Sequence, residues 1–158
     1  IEFNCSHHSK FQSLAFCHQP TIFIQNHLKI SGFSLLKLKK KSFSDQQLTI
    51  LLLYRQPNQS KVLFYNNLLE FFQASQVDII LGDFNINFLD PANKSLEYLR
   101  MNYDMVVTKP THLSGVLIDH IYLRKSIIDK YFVNCTVKNV YYSDHDAVCL
   151  NLSYSDIT

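Results

Sequence analysis

The sequence predicts an α/β layered domain built on mixed sheets, and three observations predict it. The apolar run Leu48-Thr-Ile-Leu-Leu-Leu-Tyr54 stops at Arg55-Gln-Pro57 and reads as a central buried strand. Lys61 to Ser75 then sets Val62, Tyr65, Leu68, Leu69 and Phe72 at helical spacing, a stripe suited to packing on a sheet. A second apolar strand, Val77-Asp-Ile-Ile-Leu81, follows, and beyond it the chain continues mostly as strands.

Residues 1–30 are aromatic and His-rich with no clean period, so they give no firm reading. Phe33 to Lys39 alternates apolar and basic residues, as a half-exposed strand does. Lys37-Leu-Lys-Lys-Lys41 is the one basic cluster and reads as the cap of that strand in a solvated hairpin turn, with a phosphate-backbone contact as the alternative. Asn93 to Asn102, carrying Leu96, Leu99 and Arg100, suggests a short helix. Val116 to Leu123, Tyr131 to Val140 and Asp146 to Leu152 read as three further strands. The last two form a hairpin around Tyr141-Tyr-Ser-Asp-His145. No repeat, low-complexity tract or linker divides residues 1–158, so a single domain is expected.

Composition agrees. A chain of 158 residues that is 47% hydrophobic can bury a sizeable core. A net charge of +2 is too small to announce a nucleic-acid binder by bulk electrostatics. The longest apolar run, Leu48 to Tyr54, is a strand length, far below the roughly 18 residues that cross a bilayer. No charged stretch followed by an apolar one marks a signal peptide, so an intracellular location is expected. Cys5, Cys17, Cys135 and Cys149 show neither CxxC pairing nor zinc spacing and read as free thiols in a reducing compartment. The chain begins at Ile1 without a methionine, which reads as a processing or truncation point.

Polar residues sit where the strands end. Gly82-Asp83-Phe84-Asn85 follows the second apolar strand, and alternation along an extended chain turns Asp83 and Asn85 the same way. That sets an acceptor and an amide at the C-terminal edge of a sheet, where α/β proteins tend to build sites. Asp119 and His120 interrupt an otherwise apolar strand, and Ser143-Asp144-His145 precedes the last one. A carboxylate in a buried strand needs a partner, and His145 is an attractive one: the pair would fix the imidazole tautomer. Singly, each has a plainer reading. Asp83 and Asn85 suit a turn, Asp119 a backbone hydrogen bond, and His145 a satisfied loop position.

Taken in order, Tyr54-Arg-Gln-Pro57, Gly82-Asp-Phe-Asn85, Leu117-Ile-Asp-His120 and Ser143-Asp-His145 resemble the endonuclease/exonuclease/phosphatase superfamily of metal-dependent phosphodiesterases. The pattern is similar to the AP-endonuclease-like endonuclease domains of non-LTR retrotransposons and related mobile elements, over residues 33–153. The resemblance implies a DNase I-like fold, a four-layered α/β sandwich of two mixed sheets flanked by helices. It implies Mg²⁺ or Mn²⁺ as cofactor, DNA as partner, no membrane, and a nuclear location. Asp83 would orient and deprotonate water or assist the leaving oxygen, and Asn85 would hydrogen-bond the scissile phosphate. His145, oriented by Asp119, would stabilise charge at phosphorus; Asp144 would hold the metal, and Tyr54 would donate to a phosphate oxygen. Thr111 and Ser114 are further candidates for phosphate contact, and His120 reads as structural. Complete members of the superfamily begin with a metal-site Asn and a metal-binding Glu on two earlier strands. Neither is found: Glu2 and Asn4 lie too close together, and Glu70 falls in the helix. The chain therefore reads as the C-terminal two-thirds of such a domain. The alternatives are an inactive truncated remnant, or a lipid or inositol-phosphate phosphatase of the same superfamily.

Overall fold

The computed structural model describes residues 2–8, 11–17, 22–30, 33–40, 47–74, 76–93 and 97–154. Its larger sheet has six strands: β3 (Ile22–Ile30), β4 (Phe33–Lys40), β5 (Gln47–Tyr54), β6 (Ile79–Asp83), β7 (Tyr103–Met105) and β8 (Asp119–Arg124). Their spatial order is β3-β4-β5-β6-β8-β7. β5 and β6 run parallel and the other described pairs antiparallel. A parallel pair needs a crossover, and α1 (Lys61–Ala74) supplies it. The smaller sheet joins β1 (Glu2–His8), β2 (Phe11–Cys17), β9 (Tyr131–Lys138) and β10 (Ala147–Tyr154) in the order β2-β1-β10-β9.

Two apolar clusters fix the layering. On one face of the larger sheet, Leu51, Leu53, Ile80 and Tyr122 pack with Phe64, Tyr65 and Leu68 of α1 and with Leu99 of α2 (Glu97–Asn102). On the other face, Ile50, Ile79, Leu81, Ile121 and Leu123 meet Val148, Leu150 and Leu152 of β10. The two sheets therefore bury their facing sides against each other, each fully buried aliphatic contributing roughly 1.5–3 kcal/mol. Among the described residues the layers run helix, sheet, sheet. On the outer side of the smaller sheet Phe132, Asn134, Asn151 and Ser153 are exposed. No described helix is long and apolar enough to cross a membrane.

The structure moves several expected boundaries. The inward stripe of α1 differs at its start: Val62 is 70% exposed and Phe64 is buried in its place, while Tyr65 and Leu68 are buried as expected. β8 starts at Asp119, because the carbonyls of Leu117 and Ile118 are taken by Phe88 and Phe84 N–H at 2.8 and 2.9 Å. Asp119 is thus the first residue of its strand rather than a mid-strand interruption. Lys37 to Lys40 lie inside β4, with Lys37 to Lys39 paired on both sides and Lys40 paired with β3, not in a turn; Lys41 is outside the described residues. Among the described residues of 1–30, where no clean period is visible, three strands form. Cys135 carries a free thiol, as expected, and Cys149 is buried, while the side chains of Cys5 and Cys17 lie outside the described residues.

Candidate active site

One row crosses three neighbouring strands: Tyr54 of β5 pairs in register with Asp83 of β6, which pairs with Asp119 of β8. All three share the parity of Ile50, Leu81 and Ile121, so they crown the core between the sheets. The row one step back is Leu53, Gly82 and His120. Gly82 has φ +148°, and a Cβ there would lie 1.9 Å from the Leu53 carbonyl oxygen. Only glycine lets β5 approach the end of β6 this closely.

Beyond Asp83 the chain turns. Asn85 N–H donates to Asp83 Oδ1 at 2.8 Å and Asn85 Nδ2 to Oδ2 at 3.0 Å. Asn85 takes a left-handed φ of 47°, a conformation that asparagine tolerates. Its Nδ2 also donates to the Arg55 carbonyl at 2.8 Å, so both amide hydrogens are used within the loop. Asp83 and Asn85 do face each other, through this turn rather than along an extended strand. Arg55 is buried and donates to the carbonyls of Phe84 at 2.7 Å, Asn85 at 2.8 Å and Gln59. Arg55 stands inside the Tyr54–Pro57 motif, where its spacing alone marks no role for it. A side chain with five donors in a rigid fork can tie several carbonyls at once.

His145 Nδ1 lies 2.8 Å from Asp119 Oδ2, with the two side chains 15% and 16% exposed. The hydrogen bond to Asp119 raises the His145 pKa above its ordinary value; partial burial opposes this, and the charges of Asp119, Asp83 and Asp144 reinforce it. Thr111 sits beneath. It is fully buried, and its hydroxyl accepts from the N–H groups of Ile118 at 3.3 Å and Asp119 at 3.1 Å. Its place is under the strand start that aims Asp119. Ser114 is exposed and its Oγ lies 2.7 Å from His112 Nδ1, the one side-chain contact described for it.

The segments carrying these residues are joined by backbone. Leu113 N–H donates to the Asp144 carbonyl at 2.9 Å, and Asp146 N–H to the Thr111 carbonyl at 2.7 Å. His112 thereby comes beside His145, with ring centroids 5.0 Å apart, and its Nε2 lies 3.3 Å from Asp144 Oδ2. The Asp144 side chain is 68% exposed. Its pKa falls below the usual carboxylate range: slight desolvation raises it, but its own backbone N–H, His112 and the charge of His145 lower it further. His112 was missed from sequence, where nothing in its spacing links it to residues 144–145. His120, read as structural, is buried with Nε2 2.9 Å from the Ile86 carbonyl, on the opposite face from Asp119.

Among the described residues, two overlapping groups could hold a divalent ion. Asp83, Asp119 and His145 form one, and His112, Asp144 and His145 the other, with ligand atoms in each within 4.8 Å of one another. The two carboxylates of the first, with exposed Asp144 close by, are the donor class that Mg²⁺ or Mn²⁺ takes.

No family model and no curated protein matches the sequence. Solved structures do. The endonuclease domain of TRAS1, a telomere-specific non-LTR retrotransposon, superposes with a TM-score of 0.70 at 12% identity, over 98% of this chain and 78% of that one. The chain has the DNase I-like fold. Beta toxin of Staphylococcus aureus matches with a TM-score of 0.53 at 14% identity, over 77% of this chain and 57% of the toxin. In the DNase I-like frame, the row Tyr54–Asp83–Asp119 belongs to the larger sheet, and Asp144–His145 lead into the smaller one. The site therefore stands where both sheets end.

Proposed function

We propose that this chain is a metal-dependent phosphodiester hydrolase acting on DNA, of the kind carried by mobile elements. The observation that carries the reading is the Asp119–His145 pair at 2.8 Å, set at the same sheet edge as the Asp83–Asn85 turn. Phosphoryl transfer needs a placed water and preorganised donors where charge develops, and this edge offers both classes of group. The DNase I-like fold, shared with a retrotransposon endonuclease domain over 98% of this chain, supports DNA as the substrate.

Asp119 accepts from Nδ1–H of His145, which directs Nε2 to the phosphate and favours the charged ring. Asp83 orients and deprotonates the attacking water, or assists the leaving oxygen. Asn85 spends both amide hydrogens within the loop, so it acts here as a positioning residue for Asp83 rather than as a direct phosphate donor. Tyr54 donates its hydroxyl to a phosphate oxygen. Asp144 would hold Mg²⁺ or Mn²⁺, and a bound ion supplies charge neutralisation at the phosphate.

The test is relaxation of supercoiled plasmid by the purified chain in millimolar Mg²⁺ or Mn²⁺. We expect slow nicking that His145→Ala and Asp83→Ala each abolish. No nicking under either ion, or nicking indifferent to His145→Ala, would overturn the reading.

A further inference from the structure

We propose that His112, Asp144 and His145 form a nitrogen-rich metal site that takes a zinc-class ion, and that this ion blocks the hydrolytic site by capturing His145. The blocking half rests on the hydrolase reading above, while the binding half stands on geometry alone.

The three ligand atoms lie within 4.8 Å of one another. A tetrahedral zinc with bonds of about 2.0–2.1 Å holds its ligand atoms about 3.3 Å apart. His112 Nε2 and Asp144 Oδ2 already stand 3.3 Å apart. The third ligand must close from within 4.8 Å, and its segment is bonded by backbone to that of His112 through an antiparallel bridge and two flanking hydrogen bonds. Two imidazoles and one carboxylate are a borderline donor set that favours zinc, cobalt or nickel over magnesium, which prefers oxygen.

Each histidine also has the outer partner that metal-ligating histidines use. His145 Nδ1 is committed to Asp119 at 2.8 Å, so an ion would take Nε2. His112 Nδ1 lies 2.7 Å from Ser114 Oγ. In the metal-free chain Ser114 N–H donates to that same Nδ1 at 3.1 Å, which leaves the ring proton on Nε2, facing Asp144. On metal binding Nε2 turns its lone pair to the ion and the ring proton moves to Nδ1; Ser114 N–H must then release Nδ1, and Ser114 Oγ accepts the proton. The exposed Asp144 carboxylate gives the ion a way in. Three protein ligands leave a fourth position for water. The ring nitrogen that the hydrolase reading sets on the phosphate is then occupied.

Titration of the whole 158-residue chain with Co²⁺, read by visible absorption, tests the site. We expect one equivalent to give the bands of a four-coordinate ion, displaced by Zn²⁺ and not by millimolar Mg²⁺. His112→Gln and Asp144→Asn should each weaken Co²⁺ binding at least about 10-fold, and Ser114→Ala by several-fold. Circular dichroism reports that each variant folds. No one-to-one signal, or His112→Gln and Asp144→Asn binding as tightly as the parent, would overturn the site. The readout needs no catalysis: a chain that binds Co²⁺ but never cuts DNA refutes the hydrolase reading and keeps the metal site. If the chain cuts DNA, zinc should inhibit at the concentration at which it displaces Co²⁺. Equal zinc sensitivity in His112→Gln would remove the blocking half alone.

Discussion

At the scale of single residues, one hydrogen bond organises the candidate site. Asp119 opens β8, is held from below by Thr111, and meets His145 at 2.8 Å. Thr111 is the instructive case. Its hydroxyl accepts from two backbone N–H groups at a strand start. Sequence lists the available donors and acceptors; it does not say which backbone groups will be left needing one. The Asp119–His145 pair has a measurable consequence. Because the folded His145 pKa is raised, the pair stabilises fully below the unfolded histidine value of about 6.5, and this is lost as pH rises through the higher folded value. Asp119→Ala removes the acceptor and strands the imidazole. A hydrogen bond to a charged group is worth about 1.5–3 kcal/mol, so a urea melt at pH 6 should show a loss of that order. Asp119→Asn, which can still accept, should lose less. A melt unchanged by Asp119→Ala would make Asp119 an ordinary solvated carboxylate and remove the orienting role.

At the scale of elements, β5, α1 and β6 were legible because their burial is written in side-chain spacing. An unbroken apolar run, a helical stripe and a second run have few other solutions. The stripe of α1 was misassigned by a face only at its start, where Val62 and Phe64 compete. β1, β2 and β3 were not legible, since backbone pairing needs no particular side-chain period and an irregular aromatic stretch can still form a ladder. The meeting of β5 and β6 carries its own prediction. Gly82→Ala sets a Cβ 1.9 Å from a backbone oxygen that has no flexible side chain to move. The parallel pair must part locally, and the row that holds Asp83 goes with it. We expect a loss of more than about 3 kcal/mol, at the severe end for a point substitution. A Tm within a few degrees of the parent would show that β5 and β6 are not so close. β8 supplies a second test through His120, which stacks on Phe84 at 4.5 Å and has its pKa lowered by burial to about 4. The folded chain keeps this ring neutral while the unfolded chain protonates it near 6.5, so stability should fall as pH drops from 6.5 towards 4. The displacement from 6.5 to about 4 corresponds to about 3 kcal/mol. His145 does not mask it, because the contribution of that pair is already complete below 6.5. Urea melts at pH 6 and pH 4.5, both below the range where His145 contributes a pH dependence, that superpose would show His120 to be reachable by protons.

At the scale of the whole molecule, the site exists only because two sheets end together. The larger sheet brings Tyr54, Asp83 and Asp119 into one row, and the smaller sheet delivers Asp144 and His145 from the turn before β10. The cluster between the sheets is therefore also what sets the distance from Asp119 to His145. The sequence placed Tyr54 and Asp83 at strand ends, Asp119 within a strand, and Asp144 and His145 in the loop before one, but could not place His112, whose proximity depends on the bridge between residues 112 and 145. Metal affinity follows from how these carboxylates are already engaged. Asp83 accepts two hydrogen bonds from Asn85, and Asp119 accepts from His145. Among the three, Asp144 projects furthest into solvent, with 68% of its side chain exposed. Magnesium keeps most of its water shell and is anchored by one or two carboxylates, so an exposed one, with its neighbours committed elsewhere, should hold it loosely. This chain also spans 78% of the TRAS1 endonuclease domain, so part of that domain has no counterpart here. We expect plasmid nicking by the 158-residue chain to keep rising with Mg²⁺ through the millimolar range without reaching a plateau. Asp144→Ala should lower it at every concentration, and His145→Ala should remove it. The measurement is the initial nicking rate against free Mg²⁺ at constant ionic strength, since added salt alone weakens phosphate contacts. A plateau at micromolar Mg²⁺ would mean a tight, fully formed carboxylate site, and the loose-anchor argument would fall.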